Sequence, residues 1–326
     1  MKKIKIEWDA PSSFAETLDF PAPKRADIGF LTTGDGTKLR TAIFYPTGEP
    51  RGTLVLMTGY AEYIEKYVHV AETFTREGFC VVLPEWRGHG RSTRASVEHA
   101  RLHILDFDQN CTDLMIRMER LVLPLCPAPY VGLAHSMGGL ISLRTVMKNP
   151  KIFEALALCA PMLGVQMSSV QQSIVKFLGH FYRLLGKLDN WPPSDPPTRT
   201  PENPPQNRVA FNHEFWLKNE AFLQAHPDLQ VNGRSMAWVV SAIKAMNASA
   251  RPELLQDIHT PMFIASASDE KLVDNESIVH ALGHLPNAMG KEYAPAMHEL
   301  LMENKDIYDA FVSDIMAFFV PYLEAK

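Results

Sequence analysis

Residues 131–142 read VGLAHSMGGLIS, and how they are read decides the fold. An apolar run from Tyr130 to Ala134 ends at His135-Ser136, passes two glycines and resumes as helix-compatible sequence. A buried strand that stops at a serine and turns at once into a helix is the context of a nucleophile elbow, where the serine backbone sits in a strained bend. The spelling is Ala134-His135-Ser136-Met137-Gly138, with alanine at the first of the two positions where small residues allow close approach of the chain. Ser136 is therefore the candidate nucleophile.

Working outward from it, the same strand-then-helix grammar repeats. TLVLMTG (53–59) precedes a helical pattern over 64–77, and FCVVLPEW (79–86) precedes one over 103–122. The elbow leads into a helix over 137–149, followed by EALALCAP (154–161), PMFIASAS (261–268), a stretch around Tyr293 and a terminal helix from Lys305. Strands apolar on both faces, alternating with helices, imply an α/β fold with a mostly parallel central sheet covered on each side. Upstream, ADIGFLTTGDGTKLRTAIFYPTG (26–48) alternates across a Gly-Asp-Gly turn and reads as an antiparallel hairpin at one sheet edge.

The alternation breaks between 163 and 249. Met167, Val170, Ile174, Phe177, Leu178 and Phe181 recur at helical spacing, and two further helical segments follow at 214–225 and 235–246. Between them WPPSDPPTRTPENPP (191–205) carries seven prolines in fifteen residues, which excludes helix and central strand. An all-helical insert at the carboxyl edge of a parallel sheet forms a cap over the crevice where such sheets bind ligands. The expected organisation is core (1–162), cap (163–249) and returning core (250–326). Met162, Met167, Met236 and Met246 fall where such a cap would line a pliable apolar pocket.

A serine hydroxyl needs a base, and the base needs an orienting carboxylate. In folds that carry this elbow the chain order is Ser, acid, His. His298, in APAMHELL, follows the stretch around Tyr293 and precedes the last helix, so a loop can bring its imidazole onto Ser136. His259 precedes its strand, and His280 and His284 belong to a helix or its end. For the acid, ASASDEKLVDN offers Glu270, three residues before Val273, with Asp269 as the alternative. The oxyanion donors expected are the backbone N–H groups of Met137, after the nucleophile, and Tyr60, in MTGYAEY.

Composition narrows the rest. A 326-residue chain, 46% apolar and 21% charged, has material for a large core, and a net charge of -5 with no basic stripe excludes nucleic acid as a partner. The amino terminus lacks an apolar signal core, and no apolar run is long enough to span a bilayer. Cys80, Cys111, Cys126 and Cys159 are scattered without metal spacing, as expected of reduced thiols in the cytoplasm. His99 and His103 stand one helical turn apart without a third ligand, so no metal is expected. RGHGRS (87–92) lacks the spacing and lysine of a phosphate loop and reads as a structural turn.

Together TGYAEYIEKY, PEWRGHGRS, AHSMGG, DEKLVDN and a late MHE resemble the α/β-hydrolases of the monoacylglycerol lipase and bacterial lysophospholipase family, which includes serine aminopeptidase-like members. The cap segment FLQAHPDLQVNGRSMAW is similar to the bacterial lysophospholipase pattern. The resemblance implies an α/β-hydrolase fold and a triad of Ser136, Glu270 and His298 with oxyanion donors at Tyr60 and Met137. It also implies cleavage of single-chain acyl esters without metal or other cofactor. Thr58, where the family usually has histidine, and Ala134, where it has glycine, are departures. Transient contact of the cap with a membrane surface is a further expectation. Two other functions fit the same residues: an aminopeptidase with acidic cap residues Glu214 and Glu220 near Trp216, and a hydrolase-fold binder without catalysis.

Overall fold

The computed structural model describes residues 6–96, 100–193 and 206–323. In chain order the strands are β1 (Ala10–Pro11), β2 (Ala26–Thr32), β3 (Lys38–Phe44), β4 (Gly52–Met57), β5 (Phe79–Pro84), β6 (Arg101–Leu102), β7 (Tyr130–His135), β8 (Ala155–Cys159), β9 (Gly233–Arg234), β10 (Met262–Ala267) and β11 (Ala288–Tyr293). The helices are α1 (Val68–Arg76), α2 (Asp108–Arg117), α3 (Leu123–Leu125), α4 (Met137–Lys148), α5 (Ser169–Leu184), α6 (His213–Ala225), α7 (Met236–Ser249), α8 (Pro252–Leu255), α9 (Asn275–Leu282) and α10 (Lys305–Leu323).

Among the described residues nine strands form one sheet in the order β1-β2-β3-β5-β4-β7-β8-β10-β11. From β5 to β11 every neighbouring pair is parallel, while β1, β2 and β3 pair antiparallel at one edge. The period-2 pleat explains the continuous apolar runs: Val55 and Met57 of β4 pack into one core layer, Leu54 and Leu56 into the other. Phe311, Ile315 and Phe319 of α10 close the second layer.

Two elements depart from the expected pattern. The helix expected over 103–122 begins only at Asp108, and Asp106 Oδ1 accepts from the Asp108 N–H at 3.0 Å. Just ahead of the expected start, Arg101–Leu102 form β6, which pairs in parallel with β9 across more than a hundred residues. Of the proline-rich stretch only 191–193 are described, and the rest lies outside the described residues. The RGHGRS turn is held by Arg87, bidentate to Asp113 at 2.6 Å on each arm, and by Glu85 Oε2, which accepts from the Arg91 and Ser92 N–H groups. Among the described residues no helix is long and apolar enough to cross a membrane.

Between β8 and α8 the described residues build α5, α6, β9 and α7, and these three helices each begin with a side-chain cap. Ser168 accepts from the Gln171 N–H, Asn212 from Phe215 and Ser235 from Trp238. The loops that leave the carboxyl ends of β4, β7, β10 and β11 carry Tyr60, Ser136, Glu270 and His298 in turn. That is the edge where parallel sheets hold their ligands.

Candidate active site

Ser136 joins β7 to α4 at φ 49° and ψ -113°, a conformation that disfavours any residue with a Cβ. The bend is held from several sides: the Ser136 N–H donates to the Cys159 carbonyl at 3.0 Å, and the Ser136 carbonyl accepts from the Met162 N–H at 2.9 Å. Gly138 shows why the motif needs a small residue, because a Cβ there would lie 2.5 Å from the Thr58 carbonyl oxygen. Met137 is the first residue of α4, whose leading N–H groups have no carbonyl partner within the helix.

His298 meets this serine from 162 residues downstream. Ser136 Oγ lies 2.9 Å from His298 Nε2, and His298 Nδ1 lies 2.7 Å from Glu270 Oε2. All three side chains are buried. With the N–H on Nδ1, the imidazole donates to the carboxylate and accepts from the serine hydroxyl. Glu270 Oε1 accepts from the backbone N–H groups of Lys271 at 2.8 Å, Leu272 at 2.7 Å and Val273 at 3.2 Å. Burial pushes the Glu270 carboxyl up, yet His298 and the backbone donors outweigh it and hold it below its ordinary value. Asp269 instead accepts from Ser268 Oγ at 2.8 Å, while its N–H donates to the Ala296 carbonyl. Of the two adjacent acids, Glu270 is the one that contacts the imidazole.

The loop after β4 packs directly on the nucleophile. A Cβ placed on Gly59 would sit 3.2 Å from Ser136 Cβ, so the glycine lets this loop approach the serine closely, and Tyr60 lines the same cavity as Ser136. Trp86 Nε1 donates to the Thr58 carbonyl at 2.8 Å, whereas Thr58 Oγ1 is buried without a hydrogen-bond partner.

A family model described as serine aminopeptidase, S33, matches residues 48–305. The chain belongs to this hydrolase family. It is 26% identical over 287 residues to lysophospholipase L2 of Escherichia coli (strain K12), covering 82% of this chain and 79% of that protein. Against monoglyceride lipase of Mus musculus it is 26% identical over 292 residues, covering 89% of each. Among solved structures, a soluble variant of monoglyceride lipase from Saccharomyces cerevisiae with a substrate analog shares the fold, with a TM-score of 0.72 at 15% identity over 92% of this chain and 97% of that one.

In this hydrolase, Ser136 and His298 open into a cavity of about 490 Å³. Met162, Val165, Trp238, Ile243 and Met246 line an apolar part, while Asn219, Glu220 and Gln206 contribute polar groups. Trp238 meets Tyr60 edge-to-face at 5.0 Å, and the Arg234 guanidinium lies over both rings. Of the four methionines expected to line a pocket, Met162, Met167 and Met246 do so. Met236 does not. It begins α7 and is buried, its N–H committed to the Asn190 carbonyl. Glu214 is also turned away: it pairs with Lys218 at 2.8 Å in solvent, leaving Glu220 as the acidic cap residue at the cavity.

His103 is taken by Ser235 Oγ at 3.1 Å and Asp189 at 3.3 Å, and His99 lies outside the described residues. Sequence reasoning passed over Glu62, Lys66 and Glu299, which all border the cavity. Their signal was charged residues within two motifs already singled out, Glu62 and Lys66 in TGYAEYIEKY and Glu299 in MHE.

Proposed function

We propose that this hydrolase cleaves the ester of single-chain acyl lipids, of the lysophospholipid or monoacylglycerol type, by a serine mechanism. The observation that carries the reading is the continuous contact Ser136–His298–Glu270 at the wall of a largely apolar cavity. Ser136 Oγ attacks the acyl carbonyl carbon as its proton passes to His298 Nε2. Glu270 offsets the imidazolium charge, and the Tyr60 and Met137 N–H groups receive the oxyanion. Collapse of the tetrahedral intermediate breaks the ester bond, and His298 returns the proton to the departing alcohol. Water, activated by the same imidazole, then releases the fatty acid and restores the serine.

The segment 163–249 acts as the cap that shelters the acyl chain. Each methylene buried there contributes about 0.8 kcal/mol, so a long chain binds chiefly through this surface. The two relatives named for lysophospholipid and monoglyceride chemistry support that substrate class. The four buried thiols fit a reducing cytoplasm as the compartment.

The test is a panel of lysophospholipids, monoacylglycerols, short p-nitrophenyl esters and aminoacyl anilides. Ester turnover well above anilide turnover is expected, rising with acyl length. Preferred cleavage of the anilides would favour the aminopeptidase reading, for which Glu220 would receive the substrate amine. Turnover of none of them would favour a binding protein.

The cap also presents a face suited to lipid surfaces. Along α5, Val170, Ile174, Phe177, Phe181 and Leu184 form an exposed apolar stripe, with Phe177 and Leu184 each 72% exposed. Exposed Lys176, Arg183 and Lys187 accompany it, matching an anionic phospholipid surface. The stripe begins three residues after Met167, which lines the cavity. Replacing Phe177 and Leu184 together by glutamate is expected to abolish co-sedimentation with phosphatidylglycerol vesicles. Turnover of a soluble short-chain ester should be retained, and vesicle binding left intact would refute the assignment.

A further inference from the structure

Behind the triad lies a second set of ionised groups. Glu62 and Lys66 are buried and Glu299 is largely so, and only Lys66 among them is cationic. Glu62 Oε2 accepts from the Gly59 N–H in a short hydrogen bond, and from Tyr67 Oη at 2.7 Å. Its other oxygen accepts from Lys66 Nζ at 2.8 Å. The same ammonium donates to both oxygens of Glu299 at 2.8 Å, and the Glu299 N–H donates to the Val209 carbonyl at 2.7 Å.

The chain positions give this arrangement its meaning. Gly59 precedes Tyr60, an oxyanion donor in the proposed mechanism, and Glu299 follows His298, the general base. One ammonium therefore ties the loop carrying the donor to the loop carrying the base. Glu62, His135 and Glu299 bring ligating atoms within 4.8 Å of one another, a grouping that can hold a metal ion. Here Lys66 supplies the cation from within the chain. Burial raises the Glu62 carboxyl, but Lys66 and His135 outweigh it and hold it at about 2. Lys66, despite burial, is held above its ordinary value by Glu299 and Glu62.

A buried ion pair is weak evidence for stability, since desolvation offsets most of the attraction. Its value lies in fixed geometry. An oxyanion donor must meet the oxygen at 2.7–3.1 Å or so, and losing one such donor costs roughly 10²- to 10³-fold in rate.

We propose that Glu62, Lys66 and Glu299 form a rigid bridge whose function is to hold the Tyr60 N–H and the His298 imidazole at the spacing that acyl transfer requires. They are positioning residues, acting through Gly59 and His298, and the proposal rests on the serine-hydrolase reading above. Glu62→Gln removes the charge while keeping the side chain's length, which leaves an amide N–H group beside either the ammonium or the Gly59 N–H. Glu299→Gln weakens only the far end of the bridge and leaves every Glu62 contact in place.

The test is the rate at which a fluorophosphonate labels Ser136, because the adduct's oxygen occupies the oxyanion position whatever the natural substrate is. Labelling of Glu62→Gln is expected to slow about 10²-fold and of Glu299→Gln about tenfold. The double variant should be no slower than Glu62→Gln alone, as for residues that act as a unit. With a soluble ester, kcat should fall in parallel while KM stays within about twofold.

Wild-type labelling rates in folded variants with a lowered Tm would mean a structural role only and would overturn the bridge. So would losses that multiply in the double variant. If Glu62→Gln does not fold, Glu299→Gln decides alone: undiminished labelling there refutes the proposal. A wild-type protein that resists the probe defeats the serine-hydrolase reading itself. One that labels but spares every lipid ester defeats only the substrate class.

Discussion

Ser136→Ala is expected to lower kcat by roughly 10⁵- to 10⁶-fold, the scale of losing the nucleophile of a serine triad, and to leave the protein folded. The hydroxyl's hydrogen bond in the structure is to His298 Nε2, so its removal leaves the backbone contacts of the bend untouched. Alanine inherits the strained φ of 49°, whereas glycine does not. Ser136→Gly is therefore expected to be equally inactive with a higher Tm than Ser136→Ala. The same measurements separate the two neighbouring acids. Glu270→Ala frees His298 Nδ1 and should cost about 10⁴-fold in kcat, by analogy with loss of a triad acid. Asp269→Ala removes a bond to Ser268 and should stay within about threefold of wild type. Equal losses at both positions, or residual ester cleavage in purified Ser136→Ala within a hundredfold of wild type, would defeat the mechanism.

Thermal stability is expected to fall steeply as pH drops from about 6.5 to about 4. His89 and His135 are both buried, and burial holds each imidazole down at about 4, below its ordinary value of 6.5. Between those two values the unfolded chain takes up a proton at each site that the folded chain refuses. Stability must then rise with pH across the window: it is fully present above 6.5 and is lost as pH falls towards 4. A gap of this size is worth roughly 3 kcal/mol per histidine, a large part of the 5–15 kcal/mol or so that holds a typical domain together. Glu62, held at about 2 in the fold, extends the loss to more acid pH. Differential scanning fluorimetry from pH 7.5 to 4.5 should show the slope, and His89→Gln should flatten it. A Tm that stays level across the window would show that these imidazoles gain protons within the folded protein.

Much of the fold was legible because a pleated sheet covered on both faces writes itself as short continuous apolar runs. Those at 53–59, 79–86, 130–136 and 261–268 each match a strand that the structure forms, within two residues at either end. The nucleophile candidate was legible for a related reason: strand, serine, glycine and helix are contiguous in the chain, although the backbone that keeps Gly138 small, Met57 and Thr58, comes from the end of another strand. His298 could be singled out because strand order leaves few loops that reach the elbow.

Other features had no such local signature. Asp269 and Glu270 are neighbours of like charge, and the Val273 spacing could favour Glu270 without excluding Asp269. The contact with His298 depends on where a loop 28 residues further on arrives. The helix expected from 103 starts only at Asp108, and just ahead of it Arg101–Leu102 pair with a strand 132 residues distant, as for Arg101 and Gly233. Glu62, Lys66 and Glu299 looked like ordinary loop charges until folding brought them together in a buried site where each carboxylate meets the same ammonium. The chain by itself determined which faces are buried and which residue types stand at the strand ends, because side-chain periodicity and backbone sterics act over a few neighbouring positions. Only the tertiary structure decided which of those residues touch, because pairing across the sheet edge depends on loop paths and register that no short window of sequence contains.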